Sequence, residues 1–266
     1  MRTVDLVAPA LAQRLALRLF LKPRRILSPP PMAHRFTVTG EVGPDLTVWD
    51  WGDGPTVLLI HGWNGNADQL SDFVSPLLRA GRYVAAPDLP AHGFSGGART
   101  NVVEMAQAIL RLGRRVGPVE AVIAHSFGAA ATALALAAGL QARRTVLIAP
   151  PVDLPRYARG FGAALGLSPQ SSAGMLARLD ERVGGRGSYD ILRLVANEHR
   201  ARPVVLHDPS DREVPFAEGR LLAETWPGAR LETLPGAGHS RALHDPAVIA
   251  RAVSLATTQE SLALSA

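Results

Sequence analysis

The stretch Val122-Ile123-Ala124-His125-Ser126-Phe127-Gly128-Ala129-Ala130 decides how the chain folds. Its first residues form an apolar run that is typical of a strand buried on both faces, and the alanines after Gly128 predict a helix. The backbone must therefore turn sharply at Ser126, and only small residues fit two positions before and after it. The pattern predicts a strained strand–turn–helix that lifts the Ser126 hydroxyl above the carboxyl edge of a sheet. Taken alone, the same residues also suit a serine that merely caps a helix.

Short apolar runs alternate with helical patterns along the rest of the chain. Strands are predicted at 35–39, 46–51, 56–60, 83–86, 120–124, 145–148, 203–207 and 230–234. Helices are predicted at about 67–80, 102–115, 127–140, 215–226 and 246–256. The first two strands flank turn-forming residues at 40–45, which indicates an antiparallel hairpin. The alternation that follows predicts the α/β class, with an eight-stranded, mostly parallel sheet covered by helices on both faces.

One stretch breaks this rhythm. No strand pattern occurs between residue 151 and about residue 202, where glycines interrupt weak helical runs. An insertion of this length between two strands predicts a cap or lid. The expected domains are an N-terminal helix with a proline-rich linker at 1–35, an α/β core at 36–150 and 203–266, and the cap at 151–202.

Composition excludes several classes of function. The 266 residues are 47% hydrophobic and 19% charged, which gives enough apolar material for a large core and rules out wholesale disorder. Cysteine is absent, so disulfides, thiolate metal sites and cysteine nucleophiles are excluded, and a cytoplasmic location is expected. The net charge of +5 comes almost entirely from scattered arginines, because Lys22 is the only lysine. Nucleic-acid binding is therefore disfavoured.

The N-terminal segment predicts a basic amphipathic helix. Its apolar residues recur every four positions at Val7, Leu11, Leu15 and Leu19, beside a basic row at Arg14, Arg18 and Lys22. Asp5 and the arginines argue against a signal peptide, and no apolar run is long enough to span a membrane. Two interpretations stay open: the leucine row docks on the body of the protein or on a second subunit, or it makes peripheral contact with an anionic membrane.

Four further motifs stand at predicted strand ends. They are His61-Gly62-Trp63-Asn64-Gly65, the loop at 87–95, the segment 204–215 with Asp208, Asp211 and Val214-Pro215, and Gly236-Ala237-Gly238-His239. With the turn at Ser126 they resemble the α/β-hydrolase superfamily, in its serine-dependent esterase and lipase branch. The departures are Ala124, Ala91 and Asp208, which stand where that family usually has glycine.

The resemblance implies the α/β-hydrolase fold and a role for each matching residue. Ser126 is the expected nucleophile, His239 the base and Asp211 the acid, in the chain order that this superfamily uses. Asp208 is a rival for the acid, and Asp153 is a more distant one.

The resemblance also assigns residues around this triad. The backbone amides of Trp63 and Phe127 are the expected oxyanion hole, while His61, Gly62 and His125 are expected to line the site. Asp88 and His92 are expected to be structural. No cofactor and no metal ion are expected.

The function implied is hydrolysis of carboxylic esters through an acyl-enzyme, on small to medium apolar acyl substrates. The branches that use an aspartate nucleophile are disfavoured by Ser126. Alternatives are a C–C bond or thioester hydrolase with the same triad, an acyltransferase or perhydrolase, and a catalytically weak ligand-binding protein. The expected partner is a small-molecule ester, and the chain is expected to be a monomer or a homodimer.

Overall fold

The computed structural model describes residues 1–40 and 43–258. Within them, the strands are β1 (His34–Val38), β2 (Leu46–Trp51), β3 (Thr56–Ile60), β4 (Tyr83–Pro87), β5 (Val119–His125), β6 (Ala142–Ile148), β7 (Val204–His207) and β8 (Arg230–Thr233). They form one sheet in the order β1-β2-β4-β3-β5-β6-β7-β8. Only the pairings of β2 with β1 and with β4 are antiparallel, which confirms the predicted mostly parallel sheet. The predicted turn at 40–45 and the end of the core at 266 fall partly outside the described residues.

Helices cover both faces of this sheet. They are α1 (Arg2–Val7), α2 (Pro9–Phe20), α3 (Val74–Arg79), α4 (Val102–Val116), α5 (Phe127–Ala137), α6 (Leu154–Ala164), α7 (Pro169–Arg182), α8 (Ile191–Val195), α9 (Phe216–Thr225) and α10 (Pro246–Thr257). Helices α4, α5, α8 and α9 contribute to the core on one face, and α3 and α10 to the core on the other. None of the helices in the described residues is long and apolar enough to cross a membrane.

The central strand β5 explains why the sheet carries two cores. Val122 and Ala124 face one core, while Ala121 and Ile123 face the other, and all four side chains are buried. This alternation is the period of a strand whose two faces are both covered. Helix α5 is almost wholly buried on the first face, because its run of alanines lets it lie close to the strands.

The N-terminal arm, residues 1–32, differs from its prediction. Helix α2 packs against α7 through Ala12 and Ala16, which are fully buried, whereas Leu11, Leu15 and Leu19 remain 37–46% exposed. The alanine row, not the leucine row, therefore docks on the body. Small side chains allow close helix packing, which is why α2 docks through its alanines. Docking of the leucine row on the body is therefore not seen, while its contact with a second subunit or a membrane stays a prediction.

Side chains lock this arm in place. The Asp5 carboxylate accepts a hydrogen bond from the Ser168 amide at 2.8 Å, and Arg178 donates to Gln13 at 3.1 Å. Further along, the Thr100 amide donates to the Leu21 carbonyl at 2.8 Å. These bonds tie the arm both to α7 and to the loop that precedes α4.

Helices α6, α7 and α8 fill the segment between β6 and β7, where the sequence showed only weak helical runs. A buried carboxylate, Glu218 at the start of α9, anchors this segment. It accepts bonds from the amides of Val152 and Asp153, from Arg156 and from the Tyr157 hydroxyl, at 2.7–3.0 Å. The first turn of α6 is thereby held against the core.

Candidate active site

The turn between β5 and α5 has the strained geometry that its sequence predicts. Ser126 has a φ of 52° and a ψ of −128°, a left-handed backbone conformation that L-residues rarely adopt. Such a conformation costs on the order of 1–3 kcal/mol and is retained only where the surroundings enforce it. Here the Ser126 amide donates to the Ile148 carbonyl at 2.9 Å, which fixes the turn to the end of β6.

Two glycines let neighbouring backbone approach this turn. A Cβ atom at Gly128 would lie 2.1 Å from the His61 carbonyl oxygen, so only glycine lets α5 start this close to the end of β3. A Cβ at Gly62 would lie 3.0 Å from Ser126 Cβ and 3.2 Å from His125 Nδ1. The loop after β3 therefore runs directly beside Ser126.

His239 lies between Ser126 and Asp211. Its Nε2 atom is 3.0 Å from the Ser126 hydroxyl oxygen, and its Nδ1 atom is 2.8 Å from Asp211 Oδ2. The three side chains come from loops after β5, β7 and β8 and are each at most 9% exposed. This row of hydrogen bonds has the spacing needed to pass a proton from a serine hydroxyl to an imidazole whose ring a carboxylate orients.

Hydrogen bonds keep Asp211 ionised. Burial by itself would raise the pKa of this carboxyl, but hydrogen bonds from His207, from His239 and from the Val214 amide together hold it well below its usual value. The Glu213 amide also donates to Asp211, at 2.8 Å. His207, the last residue of β7, is fully buried with Nε2 3.5 Å from Asp211 Oδ2.

The rival acids lie elsewhere. Asp208 accepts bonds from Ser210 and from the Gly238 amide, the latter at 2.5 Å, so it joins the loop after β7 to the loop that carries His239. Asp153 caps α6 by accepting from the Arg156 amide at 3.2 Å. Of the three candidates, only Asp211 bonds His239.

Two buried histidines support the loop after β3. His61 Nε2 accepts from the Leu89 amide at 2.9 Å, and His92 Nε2 accepts from the Asn64 amide at 3.2 Å. Burial lowers the pKa of His61 to about 4. Burial and the nearby His61 ring together lower the pKa of His92 to about 3. Both rings are thus neutral and structural. His61 lies behind the site instead of lining it as expected, because its ring bridges two loops.

Asp88 and His92 have the structural surroundings that the sequence indicated. Asp88 accepts bonds from the Trp49 indole and from the amides of Ala67 and Phe94, at 2.9–3.1 Å. A Cβ at Gly93 would collide with this carboxylate.

The expected oxyanion donors flank Ser126. Phe127 is the first residue of α5, a position whose amide has no partner within a helix. The Trp63 ring stands 6.0 Å from the Phe127 ring, centre to centre. The neighbour Asn64 has a φ of 60° and is held from both sides, by His92 and by the Arg24 amide, which donates to its side chain at 2.7 Å.

The alpha/beta hydrolase family model matches residues 57–252, which hold every residue of this constellation. The chain belongs to the alpha/beta hydrolase family. A comparison with curated protein sequences gives no match.

Solved structures of other α/β hydrolases share the fold. The esterase Pf2001 of Pyrococcus furiosus has 19% sequence identity and a TM-score of 0.68, over 88% of this chain and 96% of that one. The thioesterase domain from the curacin biosynthetic pathway has 19% identity and a TM-score of 0.61, over 84% and 98%. Est1E from Butyrivibrio proteoclasticus, solved with ferulic acid, has 18% identity and a TM-score of 0.64, over 84% and 100%. Identities this low establish similarity of fold.

In this α/β hydrolase, a cavity of about 240 Å³ opens at Ser126 and His239. It is lined by Gly62, Trp63, Asn64, Gln69, His125, Ser126, Phe127, Tyr157, Glu213, Val214, His239 and Ser240. Gly62 and His125 thus border this cavity. The centre of the His125 ring lies 4.6 Å from that of the His239 ring. The pKa of His125 is lowered to about 3, mainly by burial and to a smaller extent by the nearby His239. A neutral His125 places no second positive charge beside His239.

Several residues of the site carried no readable signal in the sequence. Tyr157 lines the cavity from α6, and its hydroxyl is held by Glu218 from α9. His207 touches the acid from the strand before it. Each acts through a contact between elements far apart in the chain, which spacing within a motif cannot predict. Among the described residues, no group of three or more histidine, aspartate or glutamate side chains is arranged to hold a metal ion.

Proposed function

We propose that this protein is a serine hydrolase that cleaves carboxylic esters through an acyl-enzyme. The observation that carries the proposal is the hydrogen-bonded row from Ser126 through His239 to Asp211, at 3.0 and 2.8 Å. A buried serine on a strained turn, bonded to an imidazole that a carboxylate orients, is the arrangement needed to activate a hydroxyl as a nucleophile. A residue that only capped a helix would need neither partner.

In the first half of the reaction, Ser126 Oγ attacks the ester carbonyl while its proton passes to His239 Nε2. The Asp211 carboxylate stabilises the imidazolium that forms. His239 then gives the proton to the departing alcohol oxygen, and the acyl group stays on Ser126. In the second half, His239 takes a proton from water, the hydroxide attacks the acyl carbon, and the proton returns to Ser126 as the acid leaves.

The amides of Trp63 and Phe127 are proposed to bind the oxyanion of each tetrahedral intermediate. They follow Gly62 and Ser126, which lie side by side, since a Cβ at Gly62 would be 3.0 Å from Ser126 Cβ. Loss of one such donor typically lowers turnover by about 10²–10³-fold. The helices α6–α8 are proposed to act as a cap over the site, since Tyr157 of α6 borders the cavity at Ser126.

The test is hydrolysis of p-nitrophenyl esters from acetate to palmitate, with Ser126→Ala as the inactive variant. We expect release of p-nitrophenol by the native protein and loss of several orders of magnitude in the variant. No release above background for any chain length would overturn the ester hydrolase. Near-native rates in Ser126→Ala would overturn the nucleophile.

The alternatives differ in what the same triad does. A thioester hydrolase would prefer an acyl thioester to the matching oxygen ester, and a C–C hydrolase would cleave neither. A catalytically weak binding protein would fail to react with an organophosphorus fluoride, whose phosphorus bonds to an activated serine oxygen with loss of fluoride. Mass spectrometry of the Ser126 peptide therefore separates enzymes from binding proteins without knowledge of the substrate.

A further inference from the structure

A second cavity, of about 560 Å³, adjoins the one at Ser126. The two share Trp63, Asn64, Phe127 and Tyr157 as lining residues. The rest of the larger cavity is lined by Leu19, Phe20, Leu21, Lys22, Pro23, Arg24, Asn101, Val102, Leu154, Phe161, Leu179, Val183 and Tyr189. We call it the apolar chamber, since most of its wall is aliphatic or aromatic.

The polar groups in this wall are already engaged or lie at its rim. The Asn101 side chain caps α4 by accepting from the amides of Val103 and Glu104. The hydroxyls of Tyr157 and Tyr189 bond to Glu218 and Asp180. These bonds leave the hydrocarbon and ring surfaces of the tyrosines to form the wall. Apart from the exposed cations Lys22 and Arg24, the wall therefore suits an apolar ligand, because a buried polar ligand group would go unpaired there.

A continuous series of ring contacts joins the chamber to the nucleophile. Phe161 of α6 lies 5.4 Å from Phe20 of α2, and Phe20 stacks on Trp63 at 6.5 Å. Trp63 then contacts Phe127, the residue after Ser126, at 6.0 Å. These rings therefore form a continuous aromatic surface between the N-terminal arm and the residue that follows Ser126.

The position of His239 gives this chamber its role. In ester cleavage the alcohol must depart beside His239, which protonates it, so the acyl chain extends away from that ring. His239, Glu213 and Val214 line only the smaller cavity, whereas the chamber lies beyond Trp63 and Phe127. We infer that the apolar chamber binds the acyl chain, and that the substrates are esters of unbranched fatty acids. This inference rests on the proposed ester hydrolysis.

The volume sets the chain length. A dry protein cavity of about 150 Å³ holds one benzene molecule, so 560 Å³ at the same filling holds on the order of twenty carbon atoms. Acyl chains of medium length, such as octanoate and dodecanoate, therefore fit inside. Each methylene group that leaves water strengthens binding by about fourfold.

A chamber-filling variant tests the inference. Val183→Trp replaces a small aliphatic side chain in the wall with a large aromatic one. Arg182→Trp, at the exposed residue before it, is the matched control. We expect native kcat/KM to rise from p-nitrophenyl acetate to dodecanoate. In Val183→Trp, the ratio of dodecanoate to acetate should fall at least about tenfold, since several methylene sites are lost. In the control Arg182→Trp, both the activity on acetate and the dodecanoate-to-acetate ratio should stay near native.

An unchanged ratio in a folded Val183→Trp protein that still hydrolyses acetate would overturn the chamber while leaving the proposed function intact. A series of alkyl acetates of increasing alcohol length supplies the second arm. If Val183→Trp changes the rates of the alkyl acetates but not those of the p-nitrophenyl esters, the chamber binds the alcohol part of the ester and the inference is wrong. Binding of dodecanoate to Ser126→Ala, weakened by Val183→Trp, would support the chamber without any turnover.

A second inference comes from the outer surface of the N-terminal arm. Seven of the nine exposed large hydrophobic side chains among the described residues lie in the arm: Leu6, Val7, Leu11, Leu15, Leu19, Leu27 and Met32. Within α2, with 3.6 residues per turn, Arg14 and Arg18 form a row directly beside Leu11 and Leu15. Exposed leucines beside exposed cations are the two faces of a helix that lies in a lipid interface.

Charge decides which surface suits this arm. It carries six exposed cations, Arg2, Arg14, Arg18, Lys22, Arg24 and Arg25, and its only carboxylate, Asp5, is buried against Ser168. Two copies of so basic a helix would repel each other, whereas an anionic lipid surface attracts it. We propose that the arm docks on anionic membranes, with its leucine row in the lipid interface.

Co-sedimentation of the full chain with vesicles tests this docking. We expect binding to vesicles that contain phosphatidylglycerol, weaker binding to phosphatidylcholine alone, and loss on raising salt. Leu11→Ser with Leu15→Ser should abolish binding, whereas Leu78→Ser with Leu221→Ser, at exposed leucines elsewhere, should leave it intact. No binding, or a dimer that the Leu11 and Leu15 changes dissociate, would overturn the proposal.

Discussion

Gly128→Ala is expected to destabilise the protein and slow its chemistry together. The added Cβ would lie 2.1 Å from the His61 carbonyl oxygen, whereas ordinary contact begins at 3.4 Å, so α5 and the loop after β3 must separate by about 1.3 Å. Overpacking of this kind costs about 1–3 kcal/mol, against a gain of at most about 1 kcal/mol in helix propensity. A net loss of about 1–2 kcal/mol lowers the melting temperature by roughly 2–8 °C.

The same separation moves the Phe127 amide, the oxyanion donor proposed on α5, away from the loop that carries Trp63. A misplacement of about 1 Å near reacting atoms can cost on the order of 10²-fold in rate. We therefore expect kcat on p-nitrophenyl esters to fall while the protein stays folded at 25 °C. Differential scanning calorimetry and steady-state kinetics measure the two effects on one preparation.

Gly160→Ala is the matched control. Gly160 also lies in a helix, α6, but a Cβ there would meet nothing within 4 Å. It should gain about 0.5–1 kcal/mol from helix propensity and keep native activity. If Gly128→Ala proved as stable and as active as Gly160→Ala, the close approach of α5 to His61 would not be what positions the oxyanion donor.

Three further predictions follow from the site. Ser126→Gly should be inactive yet more stable by about 1 kcal/mol, measured by urea unfolding, because glycine relieves a φ of 52°; a less stable variant would contradict the strain. Asp211→Asn should lower kcat by on the order of 10⁴-fold and Asp208→Asn by far less, since only Asp211 orients His239; the reverse order would reassign the acid. Stability should fall between about pH 6.5 and pH 4, because His61 and His92, with pKa values lowered to about 4 and 3, stay neutral in the folded state while unfolded histidine binds protons; a flat urea midpoint across this range would contradict it.

The motifs near the nucleophile could be predicted because each depends on local backbone demands. Ser126 must turn in a left-handed conformation, and Gly128 and Gly62 must admit neighbouring backbone, so the residue types are dictated position by position. The strands could also be predicted, because a strand that is buried on both faces consists of an unbroken run of apolar residues. Asp211 precedes Val214 in its motif, and in the structure the Val214 amide bonds to Asp211.

What could not be predicted depends on contacts across the chain. The sequence indicates a helical arm but leaves open which side it buries, because the fit of its small alanines depends on α7, far away in the chain. Four donors from the segment after β6 converge on Glu218, which stands in the first turn of α9. No pattern within one element specifies such a partner.

The docking of α2 on α7 also has a consequence for the order of events during synthesis. Asp5 and its partner Ser168 are 163 residues apart. At translation rates of about 5–20 residues per second, the arm waits roughly 8–33 seconds after it is made before Ser168 is synthesised. Throughout that interval α2 is basic, apolar on one side and without its partner. A ribosome making this protein close to an anionic bilayer would therefore present this helix to the lipid before its docking site on α7 exists.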